Sequence, residues 1–254
     1  MKRRELIVAM LLQVALVFGC SVPPIPCVLA DAQGGPAVGV PGTPYLVVYY
    51  LRQGSETGCT DDPAVFTGHH HWLYQESYPT TPDQPKDTAW IPDEFKYDPS
   101  TGEPPDPSRD PTIRGRLTSV SPDQAGLCQV EGTAPGEQEI GGVLITYQLK
   151  QVQAVETPGV QGTEILANVV ITRGGCSREY DALGIWPPVK CSSATDCDPF
   201  PDPQHGRENG SGLSPFLPIE CNTGPVLGDG AGNGYCFFPQ ASPSGFPFLS
   251  ENHQ

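Results

Sequence analysis

The sequence predicts an all-β fold, an antiparallel sandwich or barrel with long irregular Pro/Gly-rich loops and a disulfide-rich tail. Three observations carry this expectation. Proline (30) and glycine (29) make up almost a quarter of the 254 residues, and both oppose helix interiors. Apolar and β-branched residues come in short runs, or alternate at period two. Short turn signals close these runs, with no helical periodicity between them. The apolar fraction is modest, 37%, so bridges between cysteines are expected to add stability that burial does not supply.

The N-terminal stretch is read as a signal rather than as part of the fold. Lys2, Arg3 and Arg4 precede an apolar run from Leu6 to Phe18, which ends at Gly19-Cys20. A short basic region, an apolar stretch too short to span a bilayer and then small residues form an export signal over residues 1–19. Residues 20–44 are rich in proline and glycine and read as a tether. A β domain is expected over residues 45–190. It opens with Tyr45–Leu51, whose unbroken apolar run suggests a strand covered on both faces. Residues 53–111 read as a long acidic surface excursion. From Gln53 to Asp106 there are eleven acids against Lys86 and Lys96, and nine prolines fall between Pro79 and Pro111. Such repeats of Asp-Pro and Pro-Asp favour extended and turn conformations. Short ordered pieces are expected at His71 to Tyr74 and at Trp90-Ile91, because so many aromatics argue against full disorder.

Residues 112–120 read as the next strand. Over 142–155, Val143, Ile145, Tyr147 and Leu149 alternate with Leu144, Thr146, Gln148 and Lys150, which predicts a strand with one wet face. Glu156-Thr157-Pro158-Gly159 is a turn signal. Residues 164–172 form another strand, closed by Gly174-Gly175, and 180–186 a further one. Residues 191–254 are a cysteine-rich irregular tail, packed on the β domain or following it.

Export decides how the nine cysteines are read. Cys27, Cys59, Cys128, Cys176, Cys191, Cys197, Cys221 and Cys236 are disulfide candidates. Eight cysteines allow 105 pairings, and sequence does not choose among them. A Cys191–Cys197 link would close a small local loop. A Cys176–Cys191 link would clip the ends of the last strand. The acidic balance also excludes partners. Without residues 1–19 the chain holds 11 basic and 28 acidic residues, a net charge of −17. That disfavours nucleic acid and anionic membrane surfaces, which need a basic face.

Two segments resemble known families. Val17-Phe18-Gly19-Cys20 resembles the lipobox of bacterial lipoproteins: aliphatic, small, small, then the cysteine that is acylated and becomes the mature N-terminus. The resemblance implies lipidation at Cys20 and a membrane contact made only through that N-terminal lipid. The competing reading is ordinary cleavage after Ala30 or Ala32, since Ala30-Asp31-Ala32 has the A-x-A form. Cysteine parity separates the two. A lipidated Cys20 leaves eight cysteines, an even set, whereas cleavage after Ala30 or Ala32 leaves seven. Cys191-Ser-Ser-Ala-Thr-Asp-Cys197 resembles the Cys-x5-Cys segments of cysteine-rich surface proteins from delta-type proteobacteria. This implies a surface protein and no particular activity.

Candidate chemistry is sparse. His69-His70-His71 is the sharpest cluster. In an extended segment only His69 and His71 share a face, so a zinc ion there needs further ligands from Asp61, Asp62, Glu76 or His205. The helical zinc pattern with His at i and i+4 is absent. Asp196, Asp198, Asp202 and the turn from Gly228 to Gly234 are candidates for calcium, though Gly and Asp equally serve turn geometry. The sequence has no Cys-x2-Cys pair, no nucleophile elbow and no phosphate loop. Trp72, Tyr74, Tyr78 and Trp90 are candidate binding aromatics, with packing onto the sheet as their other use. The leading expectation is an exported, lipid-anchored protein of the outer membrane or cell surface, alternatively secreted or periplasmic. It would act by binding or as part of an envelope assembly, with another envelope or surface protein or a polysaccharide as partner. The rival is a secreted metal-dependent hydrolase built on His69 and His71.

Overall fold

The computed structural model describes residues 27, 44–59, 69–76, 85–95, 106, 108–157, 160–205 and 210–239. They form twelve strands and no α-helix. Nine strands make one antiparallel sheet: β1 (Tyr45–Leu51), β2 (His69–Glu76), β3 (Asp87–Pro92), β4 (Ile113–Leu117), β5 (Leu127–Ala134), β6 (Gly136–Ile140), β7 (Val143–Thr157), β8 (Val160–Arg173) and β9 (Cys176–Ile185). Their spatial order is β5-β4-β3-β2-β1-β9-β8-β7-β6, and β5 also pairs with β7. The sheet therefore curls until its pairings return on themselves. The long strand β7 holds β6 along its first half and β5 along its second. Three short strands, β10 (Lys190–Cys191), β11 (Glu220–Asn222) and β12 (Gly234–Phe237), form a small second sheet in the tail, in the order β10-β12-β11.

Strand alternation sorts side chains into two cores. Tyr45, Val47 and Tyr49 of β1 point into the barrel, with Ile145, Tyr147 and Leu149 of β7 and Ile165, Ala167 and Val169 of β8. Leu46 and Val48 face outward, where Leu213, Leu217, Leu227, Phe237 and Phe238 of the tail cover them. Tyr45–Leu51 is apolar throughout because it is covered on both faces. Strand β7 shows the wet face that alternation demands: Ile145, Tyr147 and Leu149 are buried while Leu144, Gln148 and Lys150 are exposed. A bulge between Leu149 and Gln151 then shifts the register. From there Val152 and Ala154 point inward, as Leu149 does before the bulge. An extra residue in one strand has this effect and bends the sheet. Gly132 makes the bend possible. A Cβ at that position would stand 1.9 Å from the carbonyl oxygen of Leu149, so only glycine admits this approach.

The largest difference from expectation is in the acidic excursion. Residues 53–111 supply two strands of the main sheet, β2 and β3, rather than only surface loop. Trp72 and Trp90 on these strands are fully buried. Proline and acid dominate the connections, and the strands themselves are short enough to be hidden by that composition. Strands β5 and β6 carry Gln, Glu, Gly and Thr among few apolar residues, so no apolar run or alternation announces them.

The strands run between two ends of the barrel. At one end lie the starts of β1, β3, β5 and β8, the ends of β2, β4, β7 and β9, and the connection 118–126. At the other lie the ends of β1, β3, β6 and β8, the starts of β2, β4, β7 and β9, and the connections 141–142 and 174–175. We call these the near end and the far end.

Candidate functional site

A polar cluster closes the far end. It is built by the 3-10 turn Asp93–Phe95, by β7 and by the end of β8. Phe95 seats the turn by packing edge-on against Tyr147, ring centroids 5.1 Å apart. This brings Glu94 over the interior. The Tyr147 hydroxyl donates to Glu94 Oε1, and Arg173 Nη2 donates to Glu94 Oε2 at 2.5 Å. Deeper inside, Trp72 Nε1 donates to the Tyr49 hydroxyl at 2.6 Å. Trp72 stacks edge-on against Trp90 at 6.0 Å, and Tyr49 against Tyr180 at 5.9 Å.

Burial pushes the phenols of Tyr49 and Tyr147 well above their usual range, and the negative charge of Glu94 adds to the shift in both. Both remain protonated donors at physiological pH. The cluster thus satisfies polar groups inside an aromatic core and fixes the turn that covers it. Replacing Tyr147 by Phe removes the donor to Glu94 and leaves an acceptor with one partner fewer. We expect a loss of about 1–3 kcal/mol in chemical denaturation with the disulfides intact. No measurable loss would make the hydroxyl idle. Nothing in the sequence marks Glu94, Tyr147 and Arg173 as one cluster, because no local spacing links residues such as Glu94 and Arg173, 79 positions apart.

The cysteines form four disulfides: Cys27–Cys128, Cys59–Cys176, Cys191–Cys221 and Cys197–Cys236. Neither a Cys191–Cys197 nor a Cys176–Cys191 link exists. Tertiary neighbours decide the partners instead. The bridge pair Thr57 and Ser177 brings the β1–β2 connection beside the start of β9, and Cys59 meets Cys176 there. In the tail, β12 lies between β10 and β11. The sulfurs of Cys191, Cys197 and Cys236 lie within 4.8 Å of one another, a metal-like grouping among the described residues, but all three are committed to disulfides.

The other candidate residues are placed as follows. Trp72 and Trp90 are 0% exposed. This corrects their reading as binding aromatics: both fill the barrel, where no partner reaches them. Tyr74 is in β2 opposite Trp90 in register, with its side chain outside the described residues, as is all of Tyr78. His69 and His71 lie in β2 opposite Val48 and Leu46. Their side chains, that of His205, and Asp61 and Asp62 fall outside the described residues, as does Cys20. The calcium candidates act in turns. Asp196 accepts the backbone N–H groups of Ser192 and Ser193. Asp198 accepts that of Phe200, and Asp229 those of Ala231 and Asn233. The backbone donors of Ser192 and Ser193 hold Asp196 below the usual carboxylate range, and the Asn233 side-chain amide, with the N–H of Ala231, does the same for Asp229, the chemistry of turn aspartates.

The tail also carries a groove of about 340 Å³, lined by residues that include Pro199, Leu213, Pro215, Leu217 and Ile219. Two nearby aromatics are exposed, Phe200 at 62% and Phe216 at 58%.

A family model described as MlpA matches residues 43–187 of the chain, which is the barrel. No curated protein matches, and no solved structure does.

Proposed function

The chain belongs to the MlpA family, a bacterial lipoprotein-type family, and from that premise we propose that it is an exported protein of the cell envelope, acylated at Cys20. The pairing of the cysteines carries the reading. The eight cysteines from Cys27 onward are bonded to one another, which leaves Cys20, alone of nine, for other chemistry. Cleavage after Ala30 or Ala32 would discard Cys27 and strand its partner Cys128, a buried sulfur on β5. Cleavage before Cys20 keeps every bridge. Four disulfides agree with an oxidising compartment.

In this reading the protein sits at the outer membrane or cell surface and works by binding or as part of an envelope assembly. Its partner is another envelope or surface protein or a polysaccharide. The acidic balance fits a partner of that kind better than nucleic acid.

The test is intact-mass analysis of the mature protein with metabolic palmitate labelling. The expected product begins at Cys20, carries diacylglycerol and has no free thiol. Cys20→Ala abolishes labelling and leaves the four bridges in place. A product that begins at Asp31 or Gln33 with a free thiol on Cys128 overturns the proposal.

A further inference from the structure

We infer that the near end of the barrel, at the connection 118–126, faces the lipid bilayer that holds the anchor, and that the far end points away from it. The inference rests on acylation at Cys20 as proposed above.

The first observation is covalent reach. Residues 20–44 read in sequence as one long tether, yet Cys27, within that stretch, is attached to the barrel at both backbone and side chain. Its sulfur is bonded to Cys128 at the start of β5, its N–H donates to Val120 O at 3.0 Å, and it is only 2% exposed. Only residues 21–26 then separate Cys20 from this attachment, and three of them are proline (Pro23, Pro24 and Pro26). Seven residue steps span at most about 25 Å. Strand β7 alone has 15 residues, about 50 Å along the strand, and barrel strands tilt by roughly 35–45°. The anchor therefore holds the near end within reach of the membrane surface and leaves the far end beyond it.

The second observation is the surface beside the attachment. Thr118, Ser119 and Val120 are exposed and uncharged. The carboxylate of Asp123 is engaged by the N–H groups of Ala125 and Leu127. The connection that holds Cys27 thus presents uncharged side chains and one hydrogen-bonded carboxylate, a surface that phospholipid headgroups do not repel strongly.

The test uses the acylated full chain in phosphatidylethanolamine vesicles containing a lipid with a nitroxide on its headgroup. A small fluorophore is placed at Gln124 on the near end or at Leu144 on the far end, through an encoded non-cysteine handle so that the disulfides stay intact. The expected result is several-fold stronger quenching at Gln124 than at Leu144. A second form carries a twenty-residue Gly/Ser spacer between Ser21 and Val22, on the N-terminal side of the Cys27 bridge. In that form the difference should shrink towards equality. Equal quenching in the unmodified acylated protein, or stronger quenching at Leu144, overturns the inference while acylation stands. A persistent difference in the spacer form overturns the short tether as its cause. A mature chain without acyl group, seen in the mass, overturns the lipoprotein reading and the inference together.

Discussion

Glu164→Met is expected to raise stability by an amount that grows with pH. Glu164 stands on β8 opposite Ile185 of β9 and is 1% exposed. Ile165 points into the barrel and Leu166 packs against the tail, so alternation sets Glu164 on the outer face that the tail covers. Its Oε1 has no hydrogen-bond partner. Burial without a compensating charge raises its carboxyl from 4.5 to about 8. The sign follows from linkage: the folded state holds this proton more tightly than the unfolded state does. Stability is therefore full below the unfolded value, falls as pH rises between 4.5 and 8, and levels off above that. At pH 9 the lost stability is on the order of 5 kcal/mol, from 1.36 kcal/mol per pKa unit. Methionine has a similar length and no charge, and it adapts to the apolar surroundings. Guanidinium unfolding at pH 5, 7 and 9, with disulfides intact, checks the prediction. The variant and the parent should agree most closely at pH 5 and diverge by a few kcal/mol at pH 9. Parallel curves across this range would mean that the carboxyl is solvated or finds a partner.

Removing the Cys27–Cys128 bridge is expected to cost about 4–5 kcal/mol. Its two cysteines are 101 residues apart, and a loop of that length loses much of its unfolded-state entropy when closed; for about 100 residues the chain-entropy model gives roughly 4.7 kcal/mol. The double change Cys27→Ser, Cys128→Ser leaves three bridges and tests the amount by equilibrium unfolding. A chain that begins at Gln33 is expected to lose a similar amount and to show one titratable thiol. The comparison also bears on processing, because a cell that cut after Ala32 would make this weaker form. A loss under about 1 kcal/mol would place the bridge outside the cooperative unit that unfolds.

The strands whose composition announces them were legible without coordinates. Tyr45–Leu51, the alternation in β7 and the apolar run of β8 all appear where the pattern predicts. The all-β class was legible too, because almost a quarter of the chain is proline or glycine. Strands β2 and β3 were legible only as ordered fragments. The acids and prolines around them dominate any local window, while their Trp72 and Trp90 are recognised as core only when β1 lies alongside. Strands β5 and β6 were not legible, because few of their residues are buried and most carry little β preference.

The basic-then-apolar N-terminal pattern and cysteine parity could be read from the sequence alone, since both depend on residue identity and count. The chain by itself also determined its acidity and the need for covalent bridges in an apolar-poor fold. Cysteine partners, the Glu94–Tyr147–Arg173 cluster and the burial of Glu164 were decided by tertiary structure. Each joins residues that only the curling of the sheet or the docking of the tail brings together. The same holds for residues 20–44: composition makes the whole stretch read as a tether, whereas the bridge from Cys27 to a distant strand attaches it to the barrel with six residues left between Cys27 and Cys20, the anchor site as proposed. Local patterns report what a segment prefers, whereas a disulfide or a buried carboxyl reports which distant segment arrived beside it.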